Sequence, residues 1–380
     1  MMNPILVVGS GNAENILTLK GEIVLGNKHS VKVHELLGGS GVNFSLRLLS
    51  AGIGVLPILT VGHDRLGENI RQELYAVATR NKVQHVVIEF LDSTHPERFF
   101  DPRITTPSST VIVNGTRRTI FSQKVNGVEN FSNHLTQRIH DVETLLEGSP
   151  SAVMIGHLHS DSLDSNSKDP GRCTKTIIDA FQGKSLIYAN LGNSQLQLGC
   201  EFWADTLRHI GILQLNISEA KQFFTSTNES SKTLLNILDL LIKNRMSAVI
   251  TIERFGAIGI HKDNTNALVL AWPLIEINDI IDTTGAGDAF AAGMVSRLAG
   301  NTKVSFHDFL EAMERASFWS AYACTTLGGS GECPGKQELE EFYRRYAAIR
   351  KKTVETRDKY SAEEFIKLID VIITKGTVGF

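Results

Sequence analysis

The feature that most limits the fold of this chain is a repeated alternation between short, fully apolar runs and amphipathic helical stretches. PILVVGS at residues 4–10 is followed by GGSGVNFSLRLLSAG, in which Val42, Leu46 and Leu49 recur at helical spacing. VLPILTVG then reads as a second buried strand and LGENIRQELYAVATR as an amphipathic helix. The rhythm returns with SAVMIGHL, SLIYANLG, HIGILQLN and SAVITIE as strands, and LLNILDLLIKN as a helix between the last two. Apolar strands alternating with helices imply an α/β fold, a largely parallel sheet covered on both faces. A strand that ends in Gly9-Ser10 also suits a ligand at its carboxyl end.

Two stretches depart from this rhythm. ILTLKGEIVLG and KVHELL alternate as strands with one exposed face do. Between Val83 and Gln123, HVVIEF, SSTVIVN and RRTIFSQ read as β-like segments separated by turn-rich sequence and by Asn114-Gly115, a hairpin signal. Segments 17–36 and 83–123 are therefore expected to share a small β-rich subdomain. The charged stretch after about Gly335 has a helical pattern and reads as a peripheral extension.

At 380 residues and 42% hydrophobic, the chain can bury a full core. With 38 Lys and Arg against 41 Asp and Glu, nothing favours nucleic acid or an anionic membrane as partner, so a small-molecule substrate is expected. No apolar run approaches the roughly 20 residues of a membrane helix, and MMNPILVVGS lacks the pattern of a signal peptide; a cytoplasmic location is expected. Cys173, Cys200, Cys324 and Cys333 are scattered and read as reduced thiols.

The chemistry concentrates in Asp282-Thr-Thr-Gly-Ala-Gly-Asp288-Ala-Phe290, which runs directly into a helical pattern. Small residues at Gly285, Ala286 and Gly287 let backbone N–H groups approach a ligand at the positive end of a helix, an anion hole for a transferring phosphoryl group. Asp288 falls in the first helical turn, placed to take a proton from an attacking hydroxyl. The plainer interpretation is a glycine-rich loop capped by acidic residues. Earlier in the chain, Gly38-Gly39-Ser40-Gly41-Val42-Asn43 offers a strand-to-helix turn open to sugar hydroxyls, with Asn43 as donor and acceptor.

DTTGAGDAF resembles, without a mismatch, the second signature of the ribokinase-like (phosphofructokinase B) family, and the Gly38–Asn43 segment resembles the first. The likeness runs in order over roughly residues 3 to 340, and GHDRLGENI from Gly62 fits the segment between them. It implies a kinase domain over 1–340 with a helical extension over 341–380. Within that domain, a β lid from the 17–36 and 83–123 segments would cover the substrate and exclude water. It implies ATP-dependent phosphorylation of a hydroxymethyl group, with Asp288 as general base and the Gly285, Ala286 and Gly287 backbone on the transferred phosphate. Substrate contacts are implied at Glu14, Gly38, Gly39 and Asn43, and nucleotide contacts at Asn190, Asn216, Thr251 and Gly256. Glu219, in Asn216-Ile-Ser-Glu219, would serve magnesium; Asp282 and Thr284 would lie near a monovalent cation, for which the family suggests potassium. A homodimer is compatible with the resemblance.

Two positions depart from the pattern. Glu14 stands where relatives carry an aspartate, and Glu253 stands where the T-x-G turn under the nucleotide has glycine. A sugar is the expected acceptor, with a nucleoside as the alternative, for which Phe99, Phe100 or Phe121 could stack on a base. A non-catalytic ligand-binding or regulatory protein on the same fold is the alternative of another class. Other signals fail: Gly183-Lys184-Ser185 lacks the upstream glycine of a phosphate loop, and Gly9-Ser10-Gly11 lacks the third glycine of a dinucleotide fingerprint. His157 and His159 have no third ligand nearby in the sequence to make a metal site.

Overall fold

The computed structural model describes residues 2–19, 26–114, 117–123, 131–158, 169–225, 232–274, 279–331, 333–349 and 354–374. Its strands are β1 (Ile5–Ser10), β2 (Asn12–Leu19), β3 (Val31–Gly38), β4 (Val55–Thr60), β5 (Ser108–Asn114), β6 (Arg117–Ser122), β7 (Ala152–Ile155), β8 (Leu186–Asn190), β9 (Ile212–Asn216), β10 (Ala248–Thr251), β11 (Ala257–His261), β12 (Asn264–Ala271) and β13 (Val354–Asp358). Nine of them form one sheet in the order β13-β12-β11-β10-β9-β8-β7-β1-β4. From β10 to β4 all neighbours are parallel, while β11, β12 and β13 add an antiparallel edge. Every residue of β1, β4, β7 and β8 is buried, which is why these segments read as unbroken apolar runs.

Helices cover both faces. The Ala286–Leu298 helix lies against Phe306–Ala323, and Gly293 lets them touch: a Cβ there would sit 2.7 Å from the Ala316 Cα. The Ser40–Ser50 helix, buried along its whole length, packs on β1 and beside Ala286–Leu298. These two helices carry Asn43 and Asp288, so their contact brings the two sequence signatures together.

The second sheet has the order β3-β2-β5-β6, with β2 and β5 parallel and the outer pairs antiparallel. It draws on both segments expected to be β-rich, with its first strand starting at Asn12 rather than near residue 17; residues 20–25, and Gly115 of the hairpin signal, lie outside the described residues. One expectation fails. HVVIEF belongs to the helix His85–Leu91, which buries Val87, Phe90 and Leu91 at positions i, i+3 and i+4. Burial against the core overrides the β preference of two adjacent valines.

The tail also differs from its helical pattern. Between the helices Lys336–Ile349 and Lys359–Thr374, β13 pairs with β12 from Ala267↔Asp358 to Ala271↔Val354. It covers an edge that β12 would otherwise present with unpaired backbone groups. Ala362, Ile366 and Ile369, at helical spacing, join the main core.

Candidate active site

The Asp282–Asp288 turn is held by its own first aspartate. Asp282 Oδ1 accepts from the Thr284 N–H at 3.0 Å and from Thr284 Oγ1 at 2.8 Å, while Oδ2 accepts from the Gly328 N–H at 2.9 Å. Gly285 then adopts φ 73° and opens the Ala286–Leu298 helix. Any side chain at 285 would meet Gly329, whose Cα would lie 2.6 Å from the added Cβ, so glycine is required twice over. Among the described residues no acceptor meets the N–H of Gly287 or Asp288, leaving open donors at the positive end of the helix.

Gly39 begins the other helix at φ 88°, where a Cβ would stand 2.6 Å from the Ser10 carbonyl oxygen. One turn on, Asn43 Nδ2 donates to Asp288 Oδ2 at 2.6 Å. Its Oδ1 is buried and unpaired among the described residues. That bond fixes the carboxylate while leaving it half-buried, and it joins residues 245 positions apart.

Glu14 lies on β2 opposite Leu36 and beside Ser109. Its carboxyl group covers Gly38, where an added Cβ would come within 2.7 Å of it. Asn12, two residues earlier and so on the same face, donates to Ser109 Oγ at 3.1 Å. Asn12 and Ser109 thus extend the polar wall, and neither was singled out from sequence. By register, Phe121 pairs with Thr110 and falls on the opposite face from Glu14 and Ser109. Phe99 and Phe100 are buried in the core, Phe100 stacked on His63 at 4.8 Å. None of the three aromatics proposed as base-stacking groups lines this wall.

The expected nucleotide residues gather along the carboxyl ends of three adjacent strands. Asn190 is buried at the end of β8, level with Gln214 of β9; Asn216 ends β9, level with Thr251 at the end of β10. Gln214, also missed from sequence, accepts from the Tyr188 hydroxyl at 2.6 Å and donates to the Gly287 carbonyl at 2.9 Å, tying these strand ends to the Asp282–Asp288 turn. Asn216 caps the helix Ile217–Phe224, and Glu219 returns a bond by accepting from the Asn216 N–H at 2.8 Å.

Glu219 is therefore a helix cap, the plain role expected of an isolated N-x-x-E, but its electrostatics are not those of a surface cap. Burial pushes its carboxyl above the ordinary range, opposed by the Asn216 N–H and His157 and reinforced by the charge of Asp288. Among the described residues nothing donates to its Oε1. A penalised carboxylate with one open oxygen, facing Asp288, suits a divalent cation. No cluster of three His, Cys, Asp or Glu side chains forms a metal cage among the described residues, so phosphate oxygens would have to complete such a site. His157 is anchored through its backbone N–H on Ser40 Oγ at 2.8 Å; His159 lies outside the described residues.

The Thr251–Gly256 turn reverses the chain into β11: Ile252 N–H donates to Gly256 O at 2.7 Å, and Gly256 has φ 93°. Glu253, where the resemblance calls for glycine, stands at φ 42° with its side chain exposed. The backbone keeps the left-handed conformation although the residue is not glycine. Glu253→Gly should therefore raise stability by up to about 1 kcal/mol, the strain relieved being partly offset by a freer unfolded chain. Urea denaturation checks this, and a less stable variant would contradict it.

Comparison with known proteins agrees with the fold. The profile described as pfkB family carbohydrate kinase matches residues 100–334. Among solved structures, the chain is similar to the Methanocaldococcus jannaschii nucleoside kinase, an archaeal member of the ribokinase family, with TM-score 0.63 and 16% identity over 90% of this chain and 99% of that one. It is similar to a carbohydrate kinase from Agrobacterium tumefaciens, with TM-score 0.62 and 17% identity over 94% and 100%. The Thermotoga maritima ribokinase aligns with TM-score 0.61 and 14% identity over 90% and 100%. No curated protein sequence matches the chain.

Proposed function

The chain belongs to the pfkB family of carbohydrate kinases, and from that premise we propose that it transfers the γ-phosphoryl group of ATP to a hydroxymethyl group of a sugar. The observation that carries this reading is the 2.6 Å bond from Asn43 to Asp288, set beside the open N–H groups of Gly287 and Asp288. It holds one carboxylate oxygen so that the other can take the acceptor proton, next to a cradle for the negative phosphoryl group. Glu14, Asn12, Ser109 and Asn43 would receive the substrate hydroxyls, and Gly38 and Gly39 would let the sugar approach the backbone. The small sheet would close over them as a lid on a kinase domain of residues 1–340, whose sheet and core the 341–380 extension completes through β13, Ala362, Ile366 and Ile369.

ATP would lie along Asn190, Asn216, Thr251 and Gly256, with magnesium between its phosphates and Glu219. Binding of magnesium would supply charge neutralisation on the phosphates. The polar wall, with no aromatic of the expected three facing it, favours a sugar over a nucleoside.

A panel of sugars and nucleosides, each with its deoxy partner, tests the reading through ADP release. A deoxy acceptor that takes from Glu14 the bond of one substrate hydroxyl should lose roughly tenfold or more in kcat/KM, equivalent to about 1 to 3 kcal/mol. Glu14→Ala should erase most of that discrimination, and Glu14→Asp should shift preference among acceptors. Equal discrimination in all three proteins would remove Glu14 from the substrate site. Turnover confined to nucleosides would replace the sugar with a base-bearing acceptor.

A further inference from the structure

Arg47 lies one helical turn beyond Asn43, only 3% exposed, and makes no ion pair among the described residues. Its guanidinium Nη2 donates to the Gly329 carbonyl at 2.8 Å, and its Nε finds no acceptor. With no carboxylate on it among the described residues, this buried cation depends on backbone acceptors to offset its desolvation. The acceptor that it meets, the Gly329 carbonyl, belongs to the loop Thr325–Gly331. Gly329 of this loop touches Gly285 of the anion-hole turn on one side and Asn43 on the other. Its neighbour Gly328 donates to Asp282, and Ser330 Oγ donates to the Leu37 carbonyl.

The expected monovalent cation near Asp282 and Thr284 fits this arrangement poorly. Asp282 Oδ1 accepts twice from Thr284, Oδ2 accepts from Gly328 and the Gly329 carbonyl accepts from a guanidinium, so a cation there would compete with donors already in place. Arg47 also bears on the thiols of Cys324 and Cys333, where its charge opposes the rise that burial causes, so its field reaches along the loop.

We infer that Arg47 is an internal cation that pins the Gly328–Ser330 loop against the anion-hole turn, so that the enzyme needs no monovalent metal ion. This rests on the kinase reading for its consequence in turnover, but not for its effect on the fold. Arg47 is a positioning residue: it acts on the phosphoryl site through Gly329 and Gly285 and touches no reacting atom.

The test uses the full chain in tetramethylammonium buffer at fixed ionic strength, with potassium or sodium replacing the organic cation. Wild-type turnover and melting temperature should change little, turnover by less than about twofold. Arg47→Met, which keeps the length of the side chain and removes its charge, should be slower by roughly tenfold or more without potassium and should regain part of the loss with it. A tenfold stimulation of wild type by potassium would overturn the inference. So would a potassium-specific rise in the wild-type melting temperature, or an Arg47→Met protein as active as wild type in the organic buffer. If wild type turned over no acceptor in any buffer, the kinase reading would fall. The melting data would still decide the cation question, because a chain that carries its own cation gains nothing from potassium.

Discussion

Asp288→Asn is expected to lower turnover by about two to four orders of magnitude while leaving ATP binding largely intact. The substitution is close to isosteric, and an amide oxygen can still accept from Asn43 Nδ2, so the side chain should keep its place. What it loses is the ability to take the acceptor proton as the oxygen–phosphorus bond forms. The open N–H groups of Gly287 and Asp288 belong to the backbone and remain. Nucleotide contacts proposed on β8, β9 and β10 lie on other elements. A loss of kcat with little change in the ATP dissociation constant supports the base assignment; wild-type turnover on the best acceptor would sink it.

Removal of divalent cations should abolish turnover, with full recovery on adding magnesium. Glu219→Gln isolates the contribution of the protein. Glutamine can complete the capping box with Asn216, so the helix start should survive while the charge is lost. The magnesium concentration for half-maximal rate should then rise by roughly tenfold. The raised pKa of Glu219 adds a pH signature. Folded Glu219 holds its proton more tightly than the unfolded chain does, so its ionised form costs stability near neutrality. That cost fades as pH falls through the folded value. Magnesium needs the ionised form, so at limiting magnesium the acid limb of activity should lie above the ordinary carboxylate range, and excess magnesium should move it down. Undiminished turnover in excess EDTA would refute the magnesium claim.

Much of this protein is legible in the linear sequence because the responsible constraints are local. Full burial of β1, β4, β7 and β8 leaves no polar alternation, so each strand shows as an apolar run. Helix spacing and the Gly285–Asp288 turn are likewise fixed by neighbours a few residues apart, which is why the parallel sheet and this glycine turn into a helix were readable. The sequence could not exclude a strand at HVVIEF, because two valines satisfy either period until a core face is chosen. Nor could it reveal β13, whose five residues VETRD carry no apolar alternation and form a strand by completing the β12 edge.

The tertiary structure decided the contacts that depend on elements far apart in the chain. It set Asn43 on Asp288, Gln214 on Gly287 and Arg47 on Gly329, across separations of 245, 73 and 282 residues. Gly328-Gly329-Ser330-Gly331 was the one sequence signal for the last of these, a glycine-rich run just after a helix. Its meaning depended on what stood opposite: Gly285 on one side and a buried arginine on the other. Local propensity depends on neighbours along the chain, whereas the worth of a buried charge depends on the groups that replace its water, and only folding brings those groups together.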